Sequence, residues 1–468
     1  MRRLRSFILP PTPPEILLEI VAHNANDVPS LRAMSLVSKA MRSFAIEHLF
    51  SFVHFACAQD FSMWQSMLRR TPRLRDIVKK VKFSDPSEEW IKRHRRVRPR
   101  KPLRDAAVPP KIPILPNVRV VEWEKGEGHS IKISMATTYM ALFPGTEELH
   151  LSRISSTNKS GSFGELAMLL GACGQLRVLS FFETNFSSLY SLINAVDREH
   201  YTFDLTALQE LRVKECGTYD RGPDFDILVK LVEVSRPAKL KSLTFAGCFD
   251  DADRPCSILA VNKLVGLAAP SLVNVSLLFE LIEQRADVEE IFSRLPTFPV
   301  LDTISIISND RQGEWLLHAL QAPKLTTLNF RILIFDGFTT QPEQFNRILP
   351  EAFPWGAPAP SEPLKSVITR KFPLIRRIGL HFCAFRRSGL HFRRGLRRRV
   401  ERRFMDRLKD TGADLDEYLE VGWVDEDHNP VVYNKTNGKP TRNWKLPPGI
   451  SEPETEESDC EANTDSEV

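Results

Sequence analysis

A short apolar pattern, L-x-x-L-x-L with Val, Ile or Phe in some positions, recurs along the middle of the chain. Copies between positions 146 and 325 start about 24 to 32 residues apart. The alternating apolar residues predict one short strand in each copy, and apolar stretches such as 163–172 and 286–295 predict helical returns. One such unit cannot bury its apolar face, whereas stacked units can. The pattern therefore predicts a curved parallel sheet built from repeats over residues 56–384.

The residues between the apolar positions of each strand are predicted to share the concave, solvent-facing side of this sheet. Counted from Glu122 onward, they are more acidic in early repeats and more basic in later ones. A graded face of this kind suits docking of a protein target, although exposed strand residues are commonly polar simply because they meet water. The candidate target contacts are Glu148, His150, Glu210, Arg212, Lys214, Asn329, Arg331, Arg377 and His381.

Residues 9–55 have a helical pattern instead. Pro14 fixes the backbone at the start of a predicted first helix, which has apolar residues at helical spacing. Residues 24–29 are rich in Asn, Asp and Pro and predict a break, after which Ser30 is predicted to cap a second helix. A third helix is predicted over 39–50. Three helices in about 45 residues bury too little apolar surface to be stable alone, so this region needs a partner surface.

The same region resembles an F-box. The matching residues are Leu9-Pro10, Pro14-Glu15-Ile16-Leu17-Leu18-Glu19-Ile20, Leu31, Ser35-Leu36-Val37-Ser38-Lys39, Phe44 and Leu49-Phe50. Two departures are the inserted Pro11-Thr12-Pro13 and Met41, which stands where many members have Trp. The resemblance implies docking onto a Skp-type adaptor and, through it, a cullin. The implied adaptor contacts are Leu9, Pro10, Pro14, Glu15, Ile16, Leu17, Ile20, Leu31, Leu36, Val37 and Lys39. The alternative is an ordinary amphipathic helical cap on the next domain.

The repeats from Ile77 to Cys383 resemble an irregular leucine-rich-repeat solenoid, and several copies follow a turn that contains Pro. The resemblance implies an α/β repeat fold behind the helical F-box, an α+β combination overall. A plain mixed α/β domain is the alternative. An F-box followed by a degenerate leucine-rich array looks like the F-box proteins of filamentous fungi, a likeness that identifies no substrate.

Several segments fall outside this scheme. Residues 1–8 are a basic tail, and the Arg-rich, Pro-rich residues 85–116 predict a mobile loop that is either solvated or a nuclear localisation signal or polyanion contact. Residues 385–410 predict a basic amphipathic helix, either a terminal cap on the repeats or a contact for nucleic acid, an acidic protein or a membrane. Residues 411–450 contain a predicted hairpin, and 451–468 are a predicted disordered acidic tail.

Composition excludes some classes of protein. The hydrophobic share of 42% and the charged share of 26% are typical of a soluble globular protein, and a net charge of +5 is small for 468 residues. No run of about 18 apolar residues occurs, so no membrane partner is expected. The seven cysteines are scattered without the spacing typical of zinc or redox sites. A reduced compartment, cytosol or nucleus, is therefore predicted.

Motifs for catalysis are missing from the sequence. There is no phosphate-binding glycine loop, no G-x-S-x-G turn and no H-E-x-x-H metal pair. The expectation is a non-catalytic protein with no cofactor or metal, and nucleic acid is not favoured as a partner. The favoured function is substrate recognition for a ubiquitin ligase of the Skp-cullin-F-box (SCF) type, with a protein target of unknown identity. The alternative is a leucine-rich-repeat interaction scaffold without a ligase role.

Overall fold

The computed structural model describes residues 12–25, 27–55, 58–84, 113–124, 131–155, 162–182, 184, 205–214, 226–235, 239–249, 263–281, 296–307, 320–334, 370–384, 419–424 and 430–431. Helices α1 to α8 are Pro14–His23, Val28–Val37, Lys39–Ser51, Ala58–Arg70, Leu74–Ile77, Ile133–Met140, Ser162–Gly171 and Asp226–Ser235. Residues 263–268 are also helical. Strands β1 to β15 are Phe52–Phe55, Lys80–Ser84, Val120–Glu124, Ile131–Lys132, Glu148–Ser152, Ile154–Ser155, Val178–Phe182, Glu210–Lys214, Ser242–Phe249, Asn274–Leu281, Thr303–Ile307, Thr327–Ile334, Arg377–Ala384, Leu419–Val424 and Pro430–Val431.

The three helices predicted over residues 9–55 are present as α1, α2 and α3. The start of α2 differs from the prediction, because Asp27 and not Ser30 is its N-cap. The Asp27 carboxylate accepts hydrogen bonds from the backbone N–H of Ser30 at 3.4 Å and from the Ser30 hydroxyl at 2.6 Å. Since Pro29 has no N–H to satisfy, it fits inside the first turn and moves the cap back to Asp27.

One sheet of thirteen strands runs through the described repeats, in the order β1-β2-β3-β5-β7-β8-β9-β10-β11-β12-β13-β14-β15. Neighbouring strands from β1 to β14 are parallel, and β15 pairs antiparallel with β14. The short strands β4 and β6 form a separate parallel pair. Because each main-sheet strand lies beside the next one along the chain, every repeat adds one strand, and the predicted parallel sheet is confirmed.

In β1 to β3, β5 and β7 to β12, alternate residues point into one continuous core. In β5, for example, Leu149 and Leu151 are buried while Glu148 and His150 are only half-buried. Burial of one such aliphatic or aromatic side chain contributes about 1.5–3 kcal/mol, so the alternation decides which face of each strand turns inward. The buried strand residues are Val53, Phe55, Val81, Phe83, Val121, Trp123, Leu149, Leu151, Leu179, Phe181, Leu211, Val213, Leu243, Phe245, Val275, Leu277, Ile304, Ile306, Leu328, Phe330 and Ile378.

The first apolar residue of each pattern is buried in the turn ahead of its strand, as Leu176, Leu208 and Leu240 are. Thr146 takes this position ahead of β5, and its buried hydroxyl donates to the Phe143 carbonyl at 2.8 Å. A polar residue is tolerated there because its hydrogen bond is satisfied. The weak repeat copy that begins at Thr146 is therefore a true member of the series.

A backbone ladder aligns the turns that precede the strands. The N–H of Arg177 donates to Glu147 O at 2.7 Å, that of Gln209 to Arg177 O at 2.8 Å, and that of Lys241 to Gln209 O at 2.8 Å. The same pattern begins at Lys79 and continues to Arg376. The side chains of these residues consequently form a row along the side of the sheet where its parallel strands begin.

The sheet begins earlier and ends later than the repeat pattern predicts. β1 lies inside the predicted helical region 9–55, yet it pairs with β2 from Phe52 to Phe55. β14 lies in the predicted extension 411–450, and it both joins β13 and forms the predicted hairpin with β15. Residues 113–116, predicted as loop, belong to the turn ahead of β3, where Leu115 is buried. The predicted tails 1–8 and 451–468, the basic helix 385–410 and the return helix 286–295 lie outside the described residues.

Helix α3 packs against two clusters at once. Ala45 is buried in a small cluster with Val21 and Leu31. Ile46 and Phe50 pack against the large core of the sheet, and the ring of Phe50 meets that of Trp64 edge-on at 6.1 Å between centroids. The helix then continues into β1 without a linker. The helical unit, residues 12–51, is thus attached directly to the first strand of the sheet.

Candidate interaction surfaces

Most of the predicted adaptor contacts lie on the surface of the helical unit. Those that are exposed are Pro14, Glu15, Ile16, Ile20, Leu36, Val37 and Lys39. Leu17 is half-buried, and Leu9 and Pro10 lie outside the described residues. Leu31 differs from the prediction, because only 1% of its surface is exposed. It stabilises the unit from inside and offers no surface to a partner.

Leu36 and Val37 are the most exposed large apolar residues in the described part of the chain, at 78% and 71%. They end α2, and Ser38 then caps α3 by accepting a hydrogen bond from the Met41 N–H at 3.1 Å. Arg42 Nε donates to the Ser35 carbonyl at 2.9 Å across the same corner. These bonds hold the α2–α3 corner in a conformation that keeps two apolar side chains in water.

Two further exposed apolar residues on the helical unit were not among the predicted contacts. Leu18 is 45% exposed and Val28 is 46% exposed. Leu18 lies outside the single apolar stripe of α1, on the side that was expected to be polar. An apolar residue in that position is the signal by which the sequence could have identified it as a contact. Ile16, Leu18, Ile20, Val28, Leu36 and Val37 together are called the apolar helical surface below.

The predicted target contacts of the early repeats lie on the side of the sheet opposite the core, which we call the polar face. Strand register places His150 beside Ser180 and Ser180 beside Arg212. His150 Nε2 lies 3.6 Å from the Glu148 carboxylate, and Arg212 Nε lies 2.7 Å from Glu210 Oε1. Lys214 follows two residues after Arg212 on β8. Strand register and alternating burial place these residues on one face of the sheet.

Several acidic residues of the early repeats lie beside basic ones. Lys80 Nζ lies 2.7 Å from Glu122 Oε1, and Lys82 pairs with Glu124 on the same two strands. Glu210 likewise pairs with Arg212, whereas the neighbour of Glu148 is the imidazole of His150. The sequence pattern missed this balance because β2 supplies the lysines and the predicted series began one strand later.

His150 is the half-buried base of this charged group. Burial lowers the pKa of its imidazole below the ordinary value, while the carboxylates of Glu122 and Glu148 oppose that shift and Arg212 adds to it. An imidazole that resists protonation is neutral at pH 7 and acts as a hydrogen-bonding group there. The charges that a partner meets at this position are consequently those of Glu148 and Arg212.

The predicted contacts of the last repeats form a hydrogen-bonded row across three strands. Asn329 Nδ2 donates to Ser305 Oγ at 3.3 Å, and His381 Nε2 lies 3.4 Å from Asn329 Oδ1, which accepts. His381 was predicted to be an exposed contact, but only 8% of its surface is exposed. The imidazole can pack against the sheet because Gly379, two residues earlier on the same strand, has no side chain.

The two predicted arginines of this region lie on the adjacent strands β12 and β13. Strand register places Arg331 opposite His381, and Arg377 is exposed at the start of β13. Between the charged first part of the polar face and Arg377, strands β9 to β12 present small hydrogen-bonding residues. These are Ser242, Thr244, Asn274, Ser276, Thr303, Ser305, Thr327 and Asn329.

The described residues contain no cluster suited to a metal ion. Groups of three or more His, Cys, Asp or Glu that could hold a metal ion are not found there. Cys173 is fully buried, its thiol donates to Leu169 O at 3.4 Å, and burial raises its pKa to about 12. A thiol in this state is a poor nucleophile. Among the described helices, none has the length and apolar character needed to cross a bilayer.

Comparisons with known proteins place the chain in no family. No family model matches it, and no curated protein matches it significantly. Among solved structures, the chain is similar to a chain of the Rad7 and Elc1 complex in yeast, at 14% identity over 68% of this chain and 87% of that chain, with a TM-score of 0.27. A TM-score this low supports no inference about this chain from that complex.

Proposed function

We propose that this chain is the substrate-recognition subunit of a ubiquitin ligase of the SCF type. In this proposal the helical unit is an F-box that binds a Skp-type adaptor and, through it, a cullin. The repeats are of the leucine-rich type and bind a protein target. The observation that carries the proposal is the apolar helical surface, together with the F-box pattern in the same residues.

The energetics of the helical unit support a partner there. Its own cluster contains three fully buried residues, Val21, Leu31 and Ala45, whereas Leu36 and Val37 are mostly exposed. Burying one large aliphatic side chain is worth about 1.5–3 kcal/mol, so a partner that covers the apolar helical surface gains several such increments. Large apolar side chains that are exposed next to each other, as Leu36 and Val37 are, are expected at a protein interface.

The polar face supports the second half of the proposal. Its paired charges and its rows of hydroxyl and amide groups provide directional hydrogen bonds, which give specificity to a protein interface. The ligase's other subunits would perform the chemistry, and this chain would raise the effective concentration of a target lysine near the conjugating enzyme. The chain itself would have no catalytic role and no cofactor, and would act in the cytosol or the nucleus.

Co-elution with a Skp-type adaptor in size-exclusion chromatography tests the first half. We expect the full chain to co-elute and the variant Leu36→Asp/Val37→Asp to lose at least about 100-fold in affinity, equivalent to about 2.7 kcal/mol, because two carboxylates would enter an apolar interface. The matched control is Met168→Asp/Leu267→Asp, which changes apolar residues that are 57% and 46% exposed in the repeats.

Undiminished binding by the Leu36→Asp/Val37→Asp variant would refute the interface. Failure of the folded wild-type chain to bind any Skp-type adaptor would favour the scaffold without a ligase role. If the adaptor binds as expected, the scaffold is still distinguished from the receptor by target turnover, which only a receptor in an assembled ligase accelerates.

A further inference from the structure

The turns that precede strands β2, β3, β5 and β7 to β13 carry a marked excess of positive charge. The hydrogen-bonded ladder places these turns in a row along the side of the sheet where its parallel strands begin, and we call this row the basic rim. Its cationic residues are Arg73, Arg75, Lys79, Arg119, Arg177, Lys239, Lys241, Lys324, Arg370, Lys371 and Arg376. Its only described acidic residues are Asp76, Glu147 and Asp302.

The cations of the rim are accessible. All are exposed except Lys371, which is half-buried. Glu147 serves two of them at once, with its carboxylate 3.3 Å from Arg119 and 3.6 Å from Arg177. One carboxylate shared between two guanidinium groups leaves net positive charge at that point of the edge. The charge excess is therefore a property of the whole rim and does not depend on any single side chain.

The ladder already satisfies backbone N–H groups in the turns of the rim. Those of Arg119, Lys241 and Arg376, for example, all donate to the preceding turn at 2.8 Å. A partner cannot extend the sheet along this edge in the way that a peptide adds a strand to an open edge. Recognition of the rim must therefore occur through the Lys and Arg side chains.

We propose that the basic rim is a docking surface for an extended, acidic segment of a partner protein. This surface is separate from the apolar helical surface and from the polar face, so the inference does not rest on the function proposed above. Neighbouring turns follow the strand spacing of about 4.8 Å, and alternate side chains of an extended peptide are about 6.8 Å apart. The flexible stems of Lys and Arg absorb that difference.

The rim favours a carboxylate-rich protein over nucleic acid. Single-stranded nucleic acid is bound by basic grooves that also offer aromatic rings for base stacking. The large apolar residues exposed on the described rim are the aliphatic Ile114 and Leu374, and the aromatic Phe143, Phe298 and Phe372 are buried. Glu147 and Asp302 also interrupt the row of cations, which disfavours a continuous phosphate backbone more than a peptide of mixed composition.

Fluorescence anisotropy with a labelled poly-glutamate peptide tests the proposal on the full chain. The rim variant Lys241→Glu/Lys324→Glu reverses two exposed cations on separate turns. The control variant Arg32→Glu/Lys39→Glu makes the same change of net charge on exposed residues of the helical unit. We expect the rim variant to bind about tenfold more weakly, equivalent to about 1.4 kcal/mol, and the control to change affinity less than about twofold. Circular dichroism verifies that both variants are folded.

Zero-length carbodiimide cross-linking of the same peptide provides a second readout. Because this reagent joins carboxylates to lysine amines and not to guanidinium groups, the arginines of segment 385–410 do not obscure the result. Cross-links concentrated on Lys79, Lys239, Lys241 and Lys324, with few on Lys39 and Lys263, are the expected result. Equal loss of affinity in the rim and control variants, or cross-links spread evenly over these lysines, would overturn the proposal. Tighter binding of an oligothymidylate of equal length, weakened by the rim variant, would overturn the assignment of a protein partner.

Discussion

Gly379 occupies a position on the polar face where the neighbouring strands β9 to β12 each have a side chain. Its register partner on β12 is Asn329. A Cβ atom at Gly379 would overlap Asn329 Oδ1 and would lie 2.7 Å from His381 Nε2. The absence of a side chain is therefore what allows Asn329 of β12 and His381 of β13 to meet over Gly379. This residue requires glycine for space, and no positive φ is involved.

Replacing Gly379 by Ala should separate these two side chains. We expect Gly379→Ala to lower the free energy of unfolding by about 1–3 kcal/mol, the usual cost of forcing extra volume into a packed site. Urea denaturation measures this, with Gly174→Ala as control, because a Cβ there meets nothing within 4 Å. The further change Asn329→Ser should restore part of the loss. Equal stability of Gly379→Ala and Gly174→Ala would contradict this account.

At the scale of residues, the sequence predicted which side chains share the polar face, because alternation in a strand has a period of two and leaves no freedom. It did not predict their pairing. Lys80 and Lys82 neutralise the acids of β3 from a strand about 40 residues earlier in the chain. The burial of His381 depends on the missing side chain at Gly379. Both effects arise from side chains that only the folded sheet brings together.

At the scale of elements, alternation located the strands of the central repeats but missed the role of β1. Its residues Phe50, Val53 and Phe55 match the repeat pattern, but the leading Phe50 belongs to helix α3, so the copy lies within the predicted helical region. β14 was predicted only as part of a hairpin. The local sequence indicates a turn and therefore an antiparallel neighbour, but it does not indicate that the same strand also pairs with the parallel sheet. The cap of α2 was misplaced by a Pro within its first turn.

Helix α3 offers an element-scale test, since its two faces serve different clusters. Ala45→Leu enlarges a residue with no exposed surface and should overpack the helical unit, at a cost of about 1–3 kcal/mol. Because that unit has few buried residues, we expect amide hydrogen exchange to accelerate in α1 and α2 and to stay unchanged in β8 to β10. The control is Ala40→Leu on the exposed face of the same helix. Faster exchange throughout the sheet would show that the unit and the repeats unfold together.

At the scale of the whole molecule, the core is continuous but unevenly built. The first strands and helix α4 share a cluster of stacked aromatic rings, in which the centroid of Phe83 lies 4.0 Å from that of Trp123 and the centroid of Phe55 lies 4.4 Å from that of Phe61. Aromatic pairs add about 0.5–1.5 kcal/mol beyond their buried area. Later strands are built largely from aliphatic side chains. Since each strand contacts mainly its neighbours in a repeat array, stability should be distributed unevenly along the chain.

A cavity in the later repeats should therefore act locally. Leu328 of β12 is fully buried, and Leu328→Ala should cost about 2–5 kcal/mol. We expect faster amide exchange in β11, β12 and β13 and unchanged exchange in β2 and β3. The reason is that the destabilised strands can open while the aromatic cluster of the first strands stays packed. Val121→Ala, a smaller truncation at the equivalent position of β3, should raise exchange at the other end of the sheet. If either substitution accelerated exchange uniformly from β1 to β13, the array would unfold as one cooperative unit, and a partner bound at one end would then stabilise every repeat.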